Sequence, residues 1–266
     1  MHPIERLRYV ARAGAADPAV LVQESVGALA GLGDDPGGLL LSVRRLLARH
    51  PACGPLWALC ARMLVSADSS REGFDFAGAV DDDPTPRELA KALPDDARIT
   101  VLGWPDLIGE AFRWRGDLEV LVVDARGEGS TFARRLQANE IDAVEVEESG
   151  LGAAAARSTV VVLEASAMGP TGLLAAPGSL AAAAVARTFD IPTWAVAGEG
   201  RMLPGPLWDT LLTRQPDVDA WDANDEHVPI ELVDAVVRPG GLLSVEDALA
   251  AADCPPAPEL QGEDHS

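Results

Sequence analysis

The stretch from residue 158 to residue 197 constrains the fold of this chain more than any other. It begins with a β-branched apolar run, Thr159 to Leu163, which is short enough for a strand that is buried on both faces. A loop rich in glycine and proline follows from Ala165 to Ser179, then a helical pattern from Leu180 to Phe189 and a second apolar run from Thr193 to Ala197. This order predicts a β-loop-α-β unit, which places a ligand site at the carboxyl ends of its parallel strands.

The loop of this unit has two interpretations. Gly169, Gly172 and Gly178 would allow backbone amides to approach an anion closely, just before the helix begins at Gly178 and Ser179. The same glycines are also typical of ordinary turns, and their spacing alone favours neither interpretation.

Strands alternate with helices through the second part of the chain. The predicted strands are Ile99–Leu102, Leu118–Val123, Ala143–Val146, Thr159–Leu163 and Thr193–Ala197, and the predicted helices between them are Leu107–Arg113, Phe132–Asn139, Gly152–Ala156 and Leu180–Phe189. Such alternation is typical of an α/β domain with a mostly parallel sheet and helices on both faces.

Residues 1–95 carry apolar residues at helical intervals and predict an N-terminal helical domain. Its expected helices cover residues 4–16, 20–32, 39–49, 54–65 and 87–93, and residues 67–86 form either a solvated connection or a frayed helix. Beyond the alternating region, we expect residues 201–229 to be irregular and residues 230–237 and 245–251 to be helical. The predicted domains are therefore 1–95, 96–252 and a disordered tail at 253–266, because the last residues contain few apolar side chains.

Acidic residues dominate the charge of the chain. The net charge is −21, with 42 Asp and Glu residues against 21 Lys and Arg residues, and Lys91 is the only lysine. So many carboxylates with almost no lysine favour a protein kept soluble in molar salt, in the cytosol of a halophile, over one with a specialised acidic binding face. The lack of a basic stripe argues against direct binding of nucleic acid.

Several other classes of protein are disfavoured. No apolar run has the length of a membrane-spanning helix and no signal-peptide pattern begins the chain, so we expect a cytoplasmic protein that does not enter the membrane. Cys53, Cys60 and Cys254 are scattered and indicate neither a disulfide framework nor a metal site. We therefore predict no metal and no cofactor.

One motif is similar to a dinucleotide-binding loop. Gly127-x-Gly129 follows the predicted strand at 118–123, and Glu147 lies where a ribose-binding acid would be expected. However, Phe132 occupies the place of the third glycine, so this interpretation is disfavoured. Acidic pairs such as Glu147 with Glu148 and Asp222 with Asp225 are interpreted as solvated faces.

Several segments, in order along the chain, resemble the family of the alpha, beta and delta subunits of translation initiation factor two-B. Its enzyme members are methylthioribose-1-phosphate isomerase and ribose-1,5-bisphosphate isomerase. The segments are Arg12–Ala15, Arg49–Ala52 with Leu56–Leu59, Ile99–Trp104, Asp124–Arg126 with Arg134–Leu136, the stretch 158–197, and Val228–Val237 with Gly240 and Gly241. The resemblance implies an N-terminal helical domain followed by a Rossmann-like, mostly parallel sheet domain, assembled as a dimer or a higher oligomer.

The chain departs from the enzyme members of the family at their catalytic positions. Those enzymes use a cysteine after the first strand and an aspartate in a Gly-Ala-Asp signature, which suits the proton transfers of aldose-ketose conversion. Here the place of the cysteine falls at Gly103. The place of the aspartate falls at Ser166, or at Ala165 if the loop is gapped differently. Neither residue can act as a strong base.

The phosphate-binding part of the family's signature is also altered. Its Asn-Lys pair falls near Ala175 and Ala176, so a lysine that could neutralise a phosphate is missing. The remaining phosphate-binding candidates are Arg49, Arg126, Gly172, Gly178 and Ser179. For the two arginines, an ordinary surface ion pair is the alternative.

The resemblance leaves three functions open. The first is a non-catalytic, regulatory or subunit-like protein with a pocket for a phosphorylated sugar or a nucleotide at the sheet edge. The second is a sugar-phosphate isomerase with relocated catalytic groups, for which Glu164 is the candidate carboxylate; alternatively, Glu164 caps the loop or pairs with an arginine. The third is a structural partner of a translation-factor or paralogous subunit, with no ligand.

Overall fold

The computed structural model describes residues 17–261, and its first part is a bundle of helices. These are α1 (Pro18–Leu29), α2 (Pro36–Leu47), α3 (Gly54–Val65), α4 (Ser69–Asp81) and α5 (Thr85–Ala92), with a 3-10 turn at Ala30–Leu32. Asp17 and Asp35 begin α1 and α2, because each carboxylate accepts a hydrogen bond from a first-turn amide and a proline follows. The predicted helices from residue 20 onward are confirmed, and residues 67–86 contain helix α4. The helix predicted at 4–16 lies outside the described residues.

The helices enclose an apolar core that later parts of the chain complete. Trp57, Leu59 and Met63 of α3 are buried in it. Cys254, Ala257 and Leu260 are buried in the same core, and a 3-10 turn covers Pro258–Leu260. The predicted disordered tail therefore does not fit the residues up to 261. Apolar side chains at every third position face the helical core there, which outweighs the polar composition of the segment.

The main sheet has seven strands: β1 (Arg98–Leu102), β2 (Glu119–Val123), β3 (Asp142–Val146), β4 (Val160–Glu164), β7 (Thr193–Val196), β9 (Ala235–Arg238) and β10 (Gly241–Leu243). Their order is β10-β9-β7-β4-β1-β2-β3, and every pair is parallel except β9 with β10. Alternate residues of strands such as β2, β4 and β9 enter separate apolar cores on the two faces. The predicted fold class and the five predicted strands are confirmed.

Helices cover the two faces of this sheet. They are α6 (Asp106–Phe112), α7 (Gly129–Ala138), α8 (Leu151–Ala155), α9 (Ser179–Thr188) and α11 (Val245–Ala250). A further helix, α10 (Gly205–Thr213), packs into the core of the N-terminal helices through Leu207, Trp208 and Leu211. The four helices predicted between strands and the helix at 245–251 are confirmed within one to three residues at each end. Within residues 17–261, no helix combines the length and the apolar composition that crossing a bilayer requires.

The helix predicted at 230–237 is wrong. The segment contains only a 3-10 turn, Ile230–Leu232, followed by strand β9, which lies parallel to β7. Val236 and Val237 are both fully buried, one in the core on each face of the sheet. A short apolar run fits a helix or a doubly buried strand equally well. Here the run forms a strand because it pairs with the edge of β7.

A second, antiparallel sheet lies beside the main one. It consists of β5 (Ala167–Gly169), β6 (Gly172–Ala175) and β8 (Glu226–Pro229), in the order β5-β6-β8. Two predictions are corrected: the loop at 165–179 contains two strands, and the irregular segment at 201–229 contains α10 and β8. Gly172 permits this pairing, because a Cβ atom there would collide with the Val228 carbonyl oxygen and the His227 ring.

Candidate functional site

A cavity of about 790 Å3 lies at the carboxyl edge of the main sheet, beneath the N-terminal helices. Its walls come from the ends of β1 and β4, the loop after β2, the start of α9, and residues 49–53 and 215–225. The carboxyl ends of parallel strands meet at one edge, which explains why such distant parts of the chain converge here. This is the site that the β-loop-α-β unit predicts.

Glu164, the last residue of β4, is held by two groups inside the cavity. Its carboxylate accepts a hydrogen bond from Arg201 Nη1 at 3.0 Å and another from the Ile108 amide at 3.2 Å. Only 13% of the Glu164 side chain and 8% of the Arg201 side chain are exposed. Burial raises the pKa of Glu164, while Arg201 and the Ile108 amide act in the opposite direction. Of the two structural roles considered for Glu164, the structure shows pairing with an arginine, and its carboxylate caps helix α6 where capping of the loop was the other role considered.

Arg201 was not indicated by the sequence. It follows β7 in the segment predicted to be irregular, and its Nη1 also donates to the Ala165 carbonyl oxygen at 2.6 Å. A buried arginine needs acceptors, and the end of β4 supplies both of them. An isolated arginine carries no spacing signal that could have revealed this role.

Asp225 provides a second, partly buried carboxylate in the cavity. Its Oδ1 accepts a hydrogen bond of 2.5 Å from the Ser166 hydroxyl. Burial raises the pKa of Asp225, and the Ser166 hydrogen bond opposes this effect. The interpretation of Asp222 and Asp225 as a solvated pair is therefore wrong for Asp225, although Asp222 is exposed. Ser166 lies 59 positions away in sequence, so local patterning could not reveal the contact.

Arg49 and Arg126 line the mouth of the cavity. Arg126 Nη1 donates to the backbone carbonyl oxygens of Ala223 and Asp222 at 3.2 and 3.4 Å. Arg49 is exposed, and none of residues 17–261 forms an ion pair with its side chain. Neither arginine is in the surface ion pair considered as the alternative role, as far as the described residues extend.

Carboxylates of the chain itself accept hydrogen bonds from the backbone amides at this edge of the sheet. Asp124 accepts from the Gly129 and Gly127 amides, at 2.7 and 3.2 Å, where α7 begins. Glu226 accepts from the Leu180 amide at 2.6 Å, where α9 begins. Glu164 does the same at α6, and Asp83 accepts from the Glu199 amide at 2.8 Å after β7.

The fold is similar to solved structures of eIF2B subunits. One is the Pyrococcus horikoshii OT3 translation initiation factor eIF-2B, with 14% identity, a TM-score of 0.74 and coverage of 93% of this chain and 98% of that chain. Another is eIF2B beta from Chaetomium thermophilum, with 16% identity, a TM-score of 0.71 and coverage of 97% and 91%. A third is the tetrameric eIF2B-beta2-delta2 complex from C. thermophilum, with 16% identity, a TM-score of 0.73 and coverage of 93% and 92%.

This chain has the eIF2B-subunit fold. No protein-family model matches the sequence, and no curated protein matches it either. At identities this low, the structural similarity shows that the fold is shared. It therefore confirms the resemblance noted in the sequence as far as the fold is concerned.

Gly103, at the position where the resemblance places a catalytic cysteine, carries a constraint of its own. It follows β1 with φ +63°, a left-handed conformation that L side chains rarely adopt, and it donates to the Val123 carbonyl oxygen. A Cβ atom there would be in ordinary contact with the Ala125 side chain at 3.4 Å. The backbone conformation, more than lack of space, favours glycine.

The other three phosphate-binding candidates, Gly172, Gly178 and Ser179, lie in different parts of the site region. Ser179 lines the cavity, but its amide donates to the Ala176 carbonyl oxygen, and the next amide donates to Glu226. Gly178 precedes α9, and Gly172 lies in β6, away from the residues that line the cavity. Their proposed role remains a prediction, and the hydrogen bonds present do not favour it.

Within residues 17–261, the dinucleotide-like motif and the cysteines do not form a cofactor or metal site. The amides of Gly127 and Gly129 are taken by Asp124, where a dinucleotide would need them for its pyrophosphate. Cys53 lines the cavity, and burial raises the pKa of its thiol to about 11, so it is protonated at neutral pH. Among residues 17–261, no group of three or more His, Cys, Asp or Glu side chains is placed to hold a metal ion.

Proposed function

We propose that this chain is a non-catalytic protein of the eIF2B-subunit type. In this proposal it binds a small ligand in the cavity at the sheet edge, and it acts by associating with a second copy of itself or with a related subunit. The association is proposed by analogy with the tetrameric complex formed by the C. thermophilum beta and delta subunits.

One observation carries the proposal: residues 17–261 enclose a cavity at the sheet edge, while both positions that the resemblance assigns to catalysis lack an ionisable side chain. Gly103 has no side chain, and the Ser166 hydroxyl donates its hydrogen bond to Asp225. Moving a proton from carbon requires a positioned base, and a glycine and a serine hydroxyl supply none.

The test is a direct assay for isomerase activity. Purified protein is incubated with ribose-1,5-bisphosphate or methylthioribose-1-phosphate, and ketose formation is followed by NMR at low and at molar salt. We expect no product above that seen with heat-denatured protein. Light scattering after gel filtration checks the other half of the proposal, and we expect a mass of at least a dimer.

A second function, isomerisation by relocated groups, has one observation in its favour. Glu164 and Asp225 both lie in the cavity, so two carboxylates are available for proton transfer. If the protein does form ketose, Glu164→Gln and Asp225→Asn separate the alternatives. Loss of turnover in either variant would replace the non-catalytic proposal with this one. A stable oligomer with neither turnover nor stabilisation by any ligand would instead indicate a purely structural partner.

A further inference from the structure

The segment that follows α11, residues 253–260, lies against the N-terminal helices. Its side chains at Cys254, Ala257 and Leu260 are 5%, 0% and 0% exposed, while those between them are partly or fully exposed. Polyproline II and the 3-10 turn at Pro258–Leu260 both have three residues per turn, which places the buried side chains on one face. We call residues 253–260 the strap, and the surface that receives it the strap groove.

Arginines on the helices hold the main chain of the strap. Arg44 of α2 donates to the Glu259 carbonyl oxygen, with 2.8 Å between its Nη2 and that oxygen. Arg214, directly after α10, donates from its Nη2 to the Leu260 carbonyl oxygen at 3.2 Å. Both acceptors are main-chain atoms that any residue type would supply. These contacts therefore recognise the path of the backbone more than particular side chains.

Arg62 of α3 adds a contact between opposite charges. Its Nη2 lies 2.8 Å from Oδ2 of Asp253, at the start of the strap, and its guanidinium group lies 5.1 Å from the centre of the Phe76 ring. Arg214 is placed in a similar way at 5.5 Å from the centre of the Trp57 ring. Stacking on an aromatic ring orients a guanidinium group. Contacts within the helical bundle itself therefore orient these donors of the strap groove.

The strap has the composition of a segment that binds in an extended form. Its sequence contains prolines at positions between the buried side chains. Each proline fixes its own φ angle, so the free segment has less conformational entropy to lose on binding. Extended, proline-rich segments are recognised in this way in other proteins, through grooves on a folded domain.

The strap groove brings arginines together on a strongly acidic protein. The net charge of the chain is −21, which makes two copies repel each other in general. At the strap groove, however, arginines meet a segment that carries the carboxylates of Asp253 and Glu259. A second copy has the same segment, and each contact of the strap with its own chain can equally form between two chains. Residues 251 and 252 alone connect the strap to α11, and short hinges are a recognised setting for such an exchange.

We propose that the strap groove is a docking site for an extended, acidic, proline-rich segment, and that two copies of the chain associate by exchanging straps. The inference rests on the proposed association with a second copy and supplies the surface for it. The chain's own strap competes for its groove at an effective concentration on the order of 1 mM, so the exchange depends on protein concentration.

A complementation experiment with the full chain tests the exchange. One variant combines Ala257→Asp with Leu260→Asp, which makes its strap defective and leaves its groove intact. The other combines Arg44→Met with Arg62→Met, which makes its groove defective and leaves its strap intact. We expect each variant alone to dimerise at least about tenfold more weakly than the unaltered protein, measured by light scattering after gel filtration.

Mixing the two variants should restore a species of twice the chain mass, because the intact strap of one meets the intact groove of the other. Each variant at twice its concentration is the control for the mixture. Arg71→Met is the matched control for loss of an arginine, since Arg71 pairs with Asp75 on the surface of α4, with side chains that are 79% and 71% exposed. It should leave the dimer unchanged.

A second measurement uses the unaltered protein and does not depend on the folding of variants. Cys254 is buried by the strap contacts and is exposed when the strap leaves, whereas Cys60 of α3 stays in the helical core. Labelling of each thiol by a maleimide is followed by mass spectrometry. A synthetic peptide of residues 252–261 carrying Cys254→Ser is added at about 1 mM, to match the effective concentration of the strap.

We expect the peptide to accelerate labelling of Cys254 at least about tenfold and to leave labelling of Cys60 unchanged, because it displaces the strap without opening the core. The same peptide with Ala257→Asp and Leu260→Asp is the control and should accelerate neither. Unchanged labelling of Cys254 with the first peptide would show that the strap groove is not a docking site, and would overturn the inference.

The outcomes separate this inference from the proposed function. A dimer that persists in both variants would overturn the inference and leave the association in place through another surface. A mixture that forms no dimer from folded variants would overturn the exchange. An unaltered protein that stays monomeric at every concentration would overturn both the inference and the proposed association with a second copy.

Discussion

Glu164 and Asp225 lie in the same cavity, but the protein surrounds them in different ways. Glu164 faces a guanidinium group and a backbone amide, at 3.0 and 3.2 Å. Among residues 17–261, the Asp225 carboxylate has one hydrogen-bond partner, the hydroxyl of Ser166, at 2.5 Å. Burial raises the pKa of both carboxyl groups, and within residues 17–261 a cation opposes this effect at Glu164 but not at Asp225.

The difference indicates different roles. Glu164 and Arg201 join the ends of β4 and β7 to helix α6, so this pair belongs to the frame of the cavity. Asp225 has acceptor capacity that residues 17–261 leave unused, at a cost in desolvation that none of their cations offsets. A ligand that donates hydrogen bonds could use that capacity. The comparison therefore gives Glu164 a structural role and, under the proposed ligand-binding function, leaves Asp225 as the acceptor for a ligand.

The strongest test of this comparison is Arg201→Met. Methionine fills much of the same space but leaves the Glu164 carboxylate buried without its counter-charge, which we expect to cost about 3–5 kcal/mol of unfolding free energy. Urea denaturation at neutral pH measures the loss. The loss should shrink in acid, where Glu164 can be protonated.

Arg98→Met is the matched control for this prediction. Arg98 and Glu119 form an ion pair at 2.7 Å, but their side chains are 44% and 35% exposed. Removing that pair should cost no more than about 1 kcal/mol. If the two variants lose similar amounts of stability, the buried pair of Glu164 and Arg201 does not stabilise the fold more than an exposed ion pair does.

Glu164→Gln should have a smaller effect. The glutamine oxygen can still accept from the Ile108 amide, while Arg201 keeps the Ala165 carbonyl oxygen as an acceptor, so we expect a loss of about 1.5–3 kcal/mol. Urea denaturation of both single variants and of the double variant with Arg201→Met gives the coupling between the two residues. A double variant that loses the full sum of the two single losses would show that they act independently.

The sequence predicted the frame of the cavity better than its contents. The five strands of the α/β region were predictable because β-branched runs that are buried on both faces have few alternatives. The second sheet was not, since Ala167–Gly169 and Gly172–Ala175 are short and rich in small residues. Their strand pairing depends on β8, which lies more than 50 positions further along the chain.

The chemistry of the cavity depends on contacts of the same long range. Arg201 reaches Glu164 across 37 positions, and Ser166 reaches Asp225 across 59. In a chain with 42 acidic residues, an individual aspartate or glutamate carries no signal that distinguishes a buried acceptor from a solvated charge. The glycines where α7 and α9 begin could be recognised from the sequence. The carboxylates that accept hydrogen bonds from the amides there could not.

Asp225→Asn should have the smallest effect, and of the opposite sign. Asparagine keeps an oxygen that can accept from Ser166 and carries no charge, so we expect a gain in stability on the order of 1 kcal/mol at neutral pH. The gain would fit a residue retained for binding and not for stability. Asp222→Asn, at an exposed position, should change stability by less than about 0.5 kcal/mol.

The pH dependence of that gain tests its cause. Because the pKa of Asp225 is raised in the folded protein, the folded state holds this proton more tightly than the unfolded state does. The stability of the unaltered protein should therefore fall as the pH rises from about 3.9, the ordinary value for aspartate, through the raised pKa of the folded state. Asp225→Asn removes this contribution, so the gain should be full at neutral pH and absent in acid. Urea denaturation at a series of pH values measures it, and a gain that persists unchanged in acid would mean that the charge of Asp225 is not what the folded state disfavours.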